Sequence, residues 1–256
     1  MTEFATLGGA AHPLAATIKH ELSQIITWTE RESPRSKQQA IGPSELGIEC
    51  DRRLAYRIAG AAPVNLGADP WPAIVGTSIH DWLEKAINQY QATVEDLGYL
   101  TELRVYPDPS VKGRSDVFST KYRCVVDHKT TGTDGMRKVR KGIIPEGYRI
   151  QIQIYGLGHR RAGRDVENVA LIFYPRSGWL DDAYVWVEPY NEQVALDALA
   201  RMHALAERLL DLDIENNPQR FQLIDAAPGD SCVWCPFYNR DADPEIAADL
   251  RGCPGR

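Results

Sequence analysis

The sequence predicts an α/β fold, and three observations support it. Apolar residues recur at helical spacing over residues 77–91 and again over 192–212. Between these two helices lie short segments rich in β-branched and aromatic residues, which favour strands. The tail from Asn217 onward is irregular and carries three of the five cysteines. We therefore expect a single α/β domain with an N-terminal helical arm and a C-terminal cysteine-bearing tail.

Helices precede the first strand. Residues 13–30 are expected to form a helix, a polar linker follows, and residues 51–59 can form a short helix. Thr77 or Ser78 can cap the next helix, which runs to about Gln91. Its apolar residues keep helical spacing and predict a buried stripe: Ile79, Trp82, Leu83, Ala86, Ile87 and Tyr90.

Five segments are expected to be strands: residues 99–106, 111–119, a segment that begins at Cys124, 168–174 and 183–188. Turns would pair the second with the third and the fourth with the fifth as hairpins. The segment 149–155 is open between strand and helix on local grounds. Its isoleucines alternate with polar residues as in a strand, whereas Gln151 and Tyr155 meet only on a helix.

The composition argues against a membrane-spanning or globally basic protein. Hydrophobic residues make up 43% of the chain and charged residues 25%, as in ordinary globular proteins. Because there is no run of 18 apolar residues and no signal pattern at the N-terminus, we expect a soluble cytoplasmic protein that binds no membrane. The net charge of −6 argues against a basic nucleic-acid coat but permits a local basic track around an acidic metal centre.

Two carboxylates and one lysine are expected to converge in the middle of the chain. Asp127 and Lys129 are two residues apart, so their side chains project from the same face of a strand. The hairpin would bring Asp116 opposite Asp127. Two oxygen ligands suit Mg²⁺ or Mn²⁺, and a nearby lysine can orient an attacking water or stabilise charge developing on a phosphate.

A structural alternative exists, since Asp127 and Lys129 could form an exposed ion pair that is worth little energetically. Val125 and Val126, however, place Asp127 directly after a buried run, where an unpaired charge is costly. A bound cation accounts better for a carboxylate at that position. The sequence therefore favours a catalytic role for Asp116, Asp127 and Lys129.

These residues occur in the order of a known set of motifs. The chain resembles the PD-(D/E)XK nuclease superfamily, in particular its RecB-like branch with an iron–sulfur cluster, which includes the CRISPR-associated RecB-like exonucleases and related phage enzymes. Asp116 matches the first metal carboxylate, and Asp127-His128-Lys129 matches the (D/E)XK element. Gln151 and Tyr155 match the Gln-x-x-x-Tyr signature, and His80 matches the upstream histidine. The cluster ligands are matched by four cysteines: Cys50, Cys232, Cys235 and Cys253. Each motif alone is weak, but together and in this order they are specific.

The resemblance implies a restriction-endonuclease-like core, with a mixed central sheet flanked by helices, over residues 73–215. Residues 1–60 would form the N-terminal helical arm with the first cluster cysteine, and residues 216–256 the cluster-binding tail. The resemblance also decides for a helix over 149–155.

For the site, the resemblance implies a catalytic Mg²⁺ or Mn²⁺ ion. Its ligands would be Asp116, Asp127, His80 and the backbone carbonyl of His128. Gln151 and Tyr155 would then orient Lys129 or a substrate phosphate.

The cysteines admit two interpretations. Cys232 and Cys235 put two thiolates on one turn, and Cys50 and Cys253 are natural candidates for the remaining ligands. Spacing does not separate Zn²⁺ from a [4Fe–4S] cluster, and the resemblance favours the cluster. Cys253 departs from the family pattern, in which the last cysteine follows the pair more closely. In either case the site would be structural and would join the two ends of the chain.

Two further features concern cysteine use and DNA contact. The odd number of cysteines favours metal ligation over disulfides, and Cys124 is expected to be buried as a small hydrophobe. Residues 136–141 are expected to be a basic loop beside Lys129. Such a loop is either merely solvated or holds DNA phosphates, and its position favours DNA binding by Arg137, Lys138, Arg140 and Lys141.

The expected function is metal-dependent hydrolysis of DNA, with exonuclease action on single-stranded ends resting on the resemblance. The expected partners are DNA and proteins of recombination or CRISPR adaptation, in a bacterial cytoplasm or, for a phage-encoded protein, that of the host. Two alternatives are a nucleic-acid-binding accessory module with an inert nuclease centre and a non-nucleolytic zinc protein. The intact set of Asp116, Asp127 and Lys129 argues against an inert centre.

Overall fold

The computed structural model describes residues 13–32, 40–65, 69–227, 230–242 and 252–255. The chain divides into two compact units, one formed by Met1–Gln38 and Asp69–Ile74 and the other by Gln39–Ala68 and Val75–Arg256. In the first unit lies helix α1 (Pro13–Glu32), which extends the predicted first helix by two residues. Several of its apolar side chains are more than half exposed, among them those of Leu14, Ile25 and Trp28.

The second unit is built on a mixed five-stranded sheet. Its strands are β1 (Tyr99–Asp108), β2 (Val111–Ser119), β3 (Cys124–Thr131), β4 (Asn168–Pro175) and β5 (Tyr184–Pro189). They lie side by side in chain order. All neighbours are antiparallel except β3 and β4, which are parallel and joined through two helices. The five predicted strands and both hairpins are thus present.

Six further helices complete the described chain: α2 (Pro43–Leu46), α3 (Asp51–Ile58), α4 (Trp71–Gln91), α5 (Thr133–Val139), α6 (Glu146–Arg161) and α7 (Glu192–Asp211). Short 3₁₀ turns occur at Leu180–Asp182, Pro218–Leu223 and Asp230–Trp234. Helix α7 carries a row of buried residues, including Leu199, Met202 and Leu205, as its amphipathic sequence predicts.

Helix α6 resolves the ambiguity of the segment 149–155. Every residue from Gln151 to His159 is buried. Ile152 packs in the apolar cluster formed with the sheet, whereas Ile154 packs in a second cluster with α3 and α7. Because the helix is covered on two sides, apolar residues are needed all round it, and the isoleucines need not follow a single helical stripe.

Two local expectations are wrong. Residues 136–139 are not a loop but the end of helix α5, where Met136 and Val139 are buried at i, i+3 spacing and leave Arg137 and Lys138 on the outer side, while Arg140 and Lys141 lie in the turn that follows. Helix α4 begins at Trp71 rather than at Thr77 or Ser78, since Asp69 Oδ1 accepts the Trp71 N–H at 2.9 Å.

The expected stripe of α4 is not buried either. No residue of this helix is buried among the described residues, and Trp82 and Tyr90 are largely exposed. Helical spacing predicts which side chains share a face, but the elements that cover that face are set by the tertiary structure.

The C-terminal tail packs against α3. Tyr56 stacks on Phe221 and Phe237, with ring centroids 4.1 and 5.0 Å apart. The buried guanidinium of Arg52 donates through Nε to the carbonyl oxygen of Ile224 at 2.9 Å. These contacts bring the tail to the helix that directly follows Cys50. Cys124, by contrast, is buried at the start of β3, as expected.

Candidate active site

Asp116 and Asp127 lie where β2 and β3 part. The ladder between these strands runs from Ser119 opposite Cys124 to Val117 opposite Val126. Asp116 and Asp127 are the next residues in this register. Beyond them β2 and β3 no longer pair with each other, and β2 pairs only with β1 while β3 pairs only with β4. We call this point the fork. It brings the two carboxylates from neighbouring strands to one place, as the hairpin predicts.

Asp127 is paired with Lys129 in the interior. Its Oδ2 lies 2.7 Å from Lys129 Nζ, and the residue is only 2% exposed. Lys129 Nζ also donates to Gln151 Oε1 at 3.0 Å, and Gln151 Nε2 lies 3.5 Å from Asp127 Oδ1. Burial raises the pKa of Asp127 to about 6, although the charge of Lys129 acts in the opposite direction. Gln151 therefore links the carboxylate to the ammonium.

Asp116 is held by two donors from other elements. Its Oδ2 accepts the backbone N–H of His128 at 2.7 Å and lies 3.3 Å from Nδ1 of His80 on α4. Burial opposes ionisation of this carboxyl, but His80 and the His128 N–H outweigh it and hold the pKa of Asp116 below its usual range. Burial also acts to lower the pKa of His80, and the contact with Asp116 raises it above the ordinary value.

The imidazole of His128 and the phenol of Tyr155 are buried next to these groups. Burial lowers the pKa of His128 to about 4, so its ring is neutral. His128 Nδ1 lies 3.3 Å from Tyr174 Oη. Burial and the charges of Asp127 and Asp116 raise the pKa of Tyr155, which keeps the phenol protonated. Tyr155 follows Gln151 by one turn of α6, as predicted for a helix.

Glu102 is a member of this region that the sequence analysis missed. It would lie opposite Asp116 in the β1–β2 register, and its φ of 53° falls in the left-handed region, which is costly for a non-glycine residue. Its carboxylate is paired with Arg114 Nε at 2.6 Å. Burial and the charge of Asp116 raise the pKa of Glu102 to about 7. The hairpin register, extended to β1, would have found it.

The predicted metal ligands are chemically suited to a divalent cation, but each carboxylate already contacts other groups of the protein. Among the described residues, no three His, Cys, Asp or Glu side chains are arranged to hold a metal ion. Asp127 is paired with Lys129, and Asp116 with His80 and an amide. Carboxylate oxygens and an imidazole suit Mn²⁺ or Mg²⁺ chemically. For both carboxylates to hold a cation, the Lys129 ammonium must turn away from Asp127.

The four predicted cluster cysteines line one cavity of about 330 Å³: Cys50, Cys232, Cys235 and Cys253. Backbone N–H groups point at the sulfurs, from Arg53 and Ala227 to Cys50 Sγ at 3.4 and 3.5 Å and from Gly255 to Cys253 Sγ at 3.4 Å. Such donors stabilise thiolates. The cysteines thus line one cavity from both ends of the second unit. Within the described residues, however, their side chains are not arranged to bind a metal ion.

The basic residues at the end of α5 and in the turn after it differ in their availability. Arg137 pairs with Asp134 at 2.9 Å, and Arg140 with Asp182 Oδ1 at 3.1 Å. In the described part of the chain, Lys138 and Lys141 are exposed and form no ion pair. The two arginines are thus already partly neutralised, which leaves the two lysines as the more available charges for a phosphate.

Solved exonuclease structures align with this chain, although its sequence matches no protein-family model and no curated protein. An alkaline exonuclease from Laribacter hongkongensis aligns with a TM-score of 0.50 and 12% identity over 71% of this chain and 92% of that chain. The same exonuclease in complex with dAMP gives a TM-score of 0.49, with 13% identity over 70% and 92%. A phage-related exonuclease from Haemophilus somnus 129PT gives 0.37, with 15% identity over 53% and 70%.

The alignment with the alkaline exonuclease concerns the fold. The chain has a mixed five-stranded sheet flanked by helices, an α/β arrangement that matches the fold of this exonuclease. The fold class predicted from the sequence is thereby confirmed. Among the described helices, none combines the length and apolar composition that crossing a membrane requires.

Proposed function

We propose that the chain is a metal-dependent nuclease that hydrolyses phosphodiester bonds in DNA. The observation that carries this proposal is the fork, where Asp116 and Asp127 meet beside Lys129 and Gln151. Burying two carboxylates and an ammonium costs free energy, so a purely structural role explains them poorly. A reaction that needs a cation and a preorganised positive charge explains them well.

Each residue of the fork has a distinct part in the proposal. Asp116, Asp127, His80 and the His128 carbonyl would hold Mg²⁺ or Mn²⁺, which supplies a Lewis acid for the phosphate. Lys129, once released from Asp127, would position the attacking water and balance the charge that develops on the phosphate. Gln151 would keep the ammonium in reach, since it already accepts from Lys129 Nζ at 3.0 Å. Tyr155 would support Gln151 as a neutral phenol.

Exonuclease action on single-stranded DNA ends is the finer part of the proposal. It draws support from the motif resemblance and from the likeness in fold to an alkaline exonuclease. Lys138 of α5 and Lys141 in the turn after it would contact phosphates of the bound strand, with smaller contributions from Arg137 and Arg140 because both are ion-paired.

A [4Fe–4S] cluster at the four cysteines is a second part of the proposal. The donor set fits, because four sulfurs line one cavity and three backbone N–H groups point at two of them. The preference for a cluster over a single Zn²⁺ rests on the motif resemblance. The cluster would be structural and would hold the tail against α3, where Arg52 already contacts Cys253 Sγ at 3.6 Å.

A nuclease assay tests the first part. Protein purified without oxygen is incubated with end-labelled single-stranded DNA and Mn²⁺ or Mg²⁺. Asp116→Asn and Asp127→Asn should abolish cleavage with the far-UV spectrum unchanged, while Asp165→Asn, which alters an exposed carboxylate, should not affect it. Wild-type protein that binds DNA but cleaves neither single nor double strands with either metal would instead identify a binding module.

Absorbance tests the second part. An iron–sulfur protein is brown with broad absorbance near about 400 nm, and Cys50→Ser should bleach it. A colourless protein with stoichiometric zinc would contradict the cluster. Full iron content in Cys253→Ala would show that another residue is the fourth ligand.

A further inference from the structure

One face of α6 runs from the interior to the surface at the active site. Tyr148, Gln151 and Tyr155 follow i, i+3 and i+7 spacing and therefore share this face. Gln151 and Tyr155 are each 7% exposed, whereas Tyr148 is 37% exposed. The face thus meets solvent at Tyr148, which marks the mouth of the site.

The ring of Tyr148 lies against the reactive lysine. Lys129 Nζ is 4.6 Å from the ring centroid, a cation–π distance. On the inner side the ring meets Phe173, with centroids 6.3 Å apart at an angle of 43°. Lys129 itself is 15% exposed. A group that approaches Lys129 along this edge of the site therefore meets an aromatic surface that is anchored on the protein side and open towards solvent.

We propose that Tyr148 stacks on the base of the nucleotide whose phosphate is cleaved, and that it thereby selects an unpaired strand. The inference rests on the proposed nuclease function and names a substrate contact for it. One sugar joins a base to its phosphate, so a phosphate at Lys129 brings its own base within reach of the ring. Aromatic rings stack on any base but require that the base be unpaired and turned out of a duplex.

The test compares variants on two substrates. One is an end-labelled single strand, and the other is the same strand with an abasic site at the terminal nucleotide. Tyr148→Leu keeps apolar bulk against Phe173 but removes the ring, and Tyr148→Phe keeps the ring. Tyr122→Leu is the matched control, because Tyr122 is 58% exposed, has Lys121 Nζ 5.4 Å from its ring and lies at the closed end of the hairpin.

On the natural strand, Tyr148→Leu should raise KM roughly tenfold or more, the scale of one lost base stack. On the abasic strand, wild type and Tyr148→Leu should have the same KM, and wild type should discriminate between the strands while Tyr148→Leu does not. Tyr148→Phe should behave as wild type, and Tyr122→Leu should change neither value.

A different pattern would overturn the inference. If Tyr148→Leu lowers kcat equally on both strands and leaves KM unchanged, the ring serves only to hold Lys129. Binding of both strands, measured by fluorescence anisotropy without divalent cations, separates this outcome from failure of the nuclease proposal. A protein that never cleaves refutes the nuclease function. In the binding measurement, loss of discrimination between the two strands in Tyr148→Leu still supports the stacking contact. Discrimination equal to that of wild type refutes it.

Discussion

Burial of the Asp127 carboxyl predicts that the active site reduces the stability of the fold at neutral pH. The pKa of Asp127 is raised from the ordinary value of 3.8 to about 6, with burial as the largest cause. The folded state therefore binds more protons than the unfolded state between these values. Stability from this group is fully present below pH 3.8 and is lost as the pH rises through about 6.

The size of the effect follows from the shift. At about 1.4 kcal/mol per pKa unit, the whole contribution is about 3 kcal/mol, of which about half falls between pH 5 and pH 7.5. Asp127→Asn removes the titration while keeping the shape of the side chain. The thermal midpoint of Asp127→Asn relative to wild type should therefore rise by about 3–6 °C over this pH interval.

Differential scanning fluorimetry of the two proteins across this pH range provides the measurement. Both proteins have the same cysteine region, so its contribution cancels in the difference at each pH. Asp108→Asn is a control that should change little across this range, because hydrogen bonds from Ser110 and the neighbouring His203 outweigh burial and hold the pKa of Asp108 below its ordinary value of 3.8, so this carboxyl is ionised in both states. Parallel pH profiles for wild type and Asp127→Asn would refute the reasoning. Mn²⁺ should raise the wild-type midpoint above about pH 6 and leave Asp127→Asn unchanged, because only the ionised carboxylate binds the cation.

Removal of positive charge has different consequences at three places. Lys129→Ala should lower kcat on the order of a hundredfold, yet calorimetric Mn²⁺ affinity should persist or increase because the ammonium no longer competes for the carboxylate. Replacing Lys138 and Lys141 by Gln should weaken single-strand binding and reduce the slope of log K against log salt by about 1.4, with turnover at saturation preserved; an unchanged slope would place the DNA elsewhere. Arg52→Gln should lower the unfolding free energy by about 3 kcal/mol in thermal melts, because a buried guanidinium bond to Ile224 is lost; an unchanged midpoint would contradict this.

Much of the candidate site is predictable from local rules. Strand alternation puts Asp127 and Lys129 on one face, and a short turn between β2 and β3 brings Asp116 opposite Asp127. The same register extended to β1 reaches Glu102, although its backbone conformation is not encoded in the alternation. These relations span few residues, so the sequence contains the information that they need.

The surroundings of the site follow from packing between distant segments. Alternation in 149–155 predicts a strand locally, but burial of α6 between the sheet and α7 makes a helix that is apolar all round. The stripe of α4 is spaced for burial and is nevertheless exposed. The engagement of Arg140 by Asp182 and the approach of Tyr148 to Lys129 likewise join residues that are far apart in the chain.

The sequence alone therefore determined the positions of the five strands, two of their hairpins, the long amphipathic helix α7 and the convergence of two carboxylates with a lysine, because each depends on spacing over one or two elements. The tertiary structure determined why Arg149–Tyr155 is a helix rather than the strand that its alternation suggests, which charges at and after the end of α5 are available, and which aromatic ring borders Lys129. These features depend on which residues bury a face or form an ion pair with a charge. Those residues are distant in sequence. Hydrophobic spacing specifies a surface to be buried, and only the assembled chain specifies its partner.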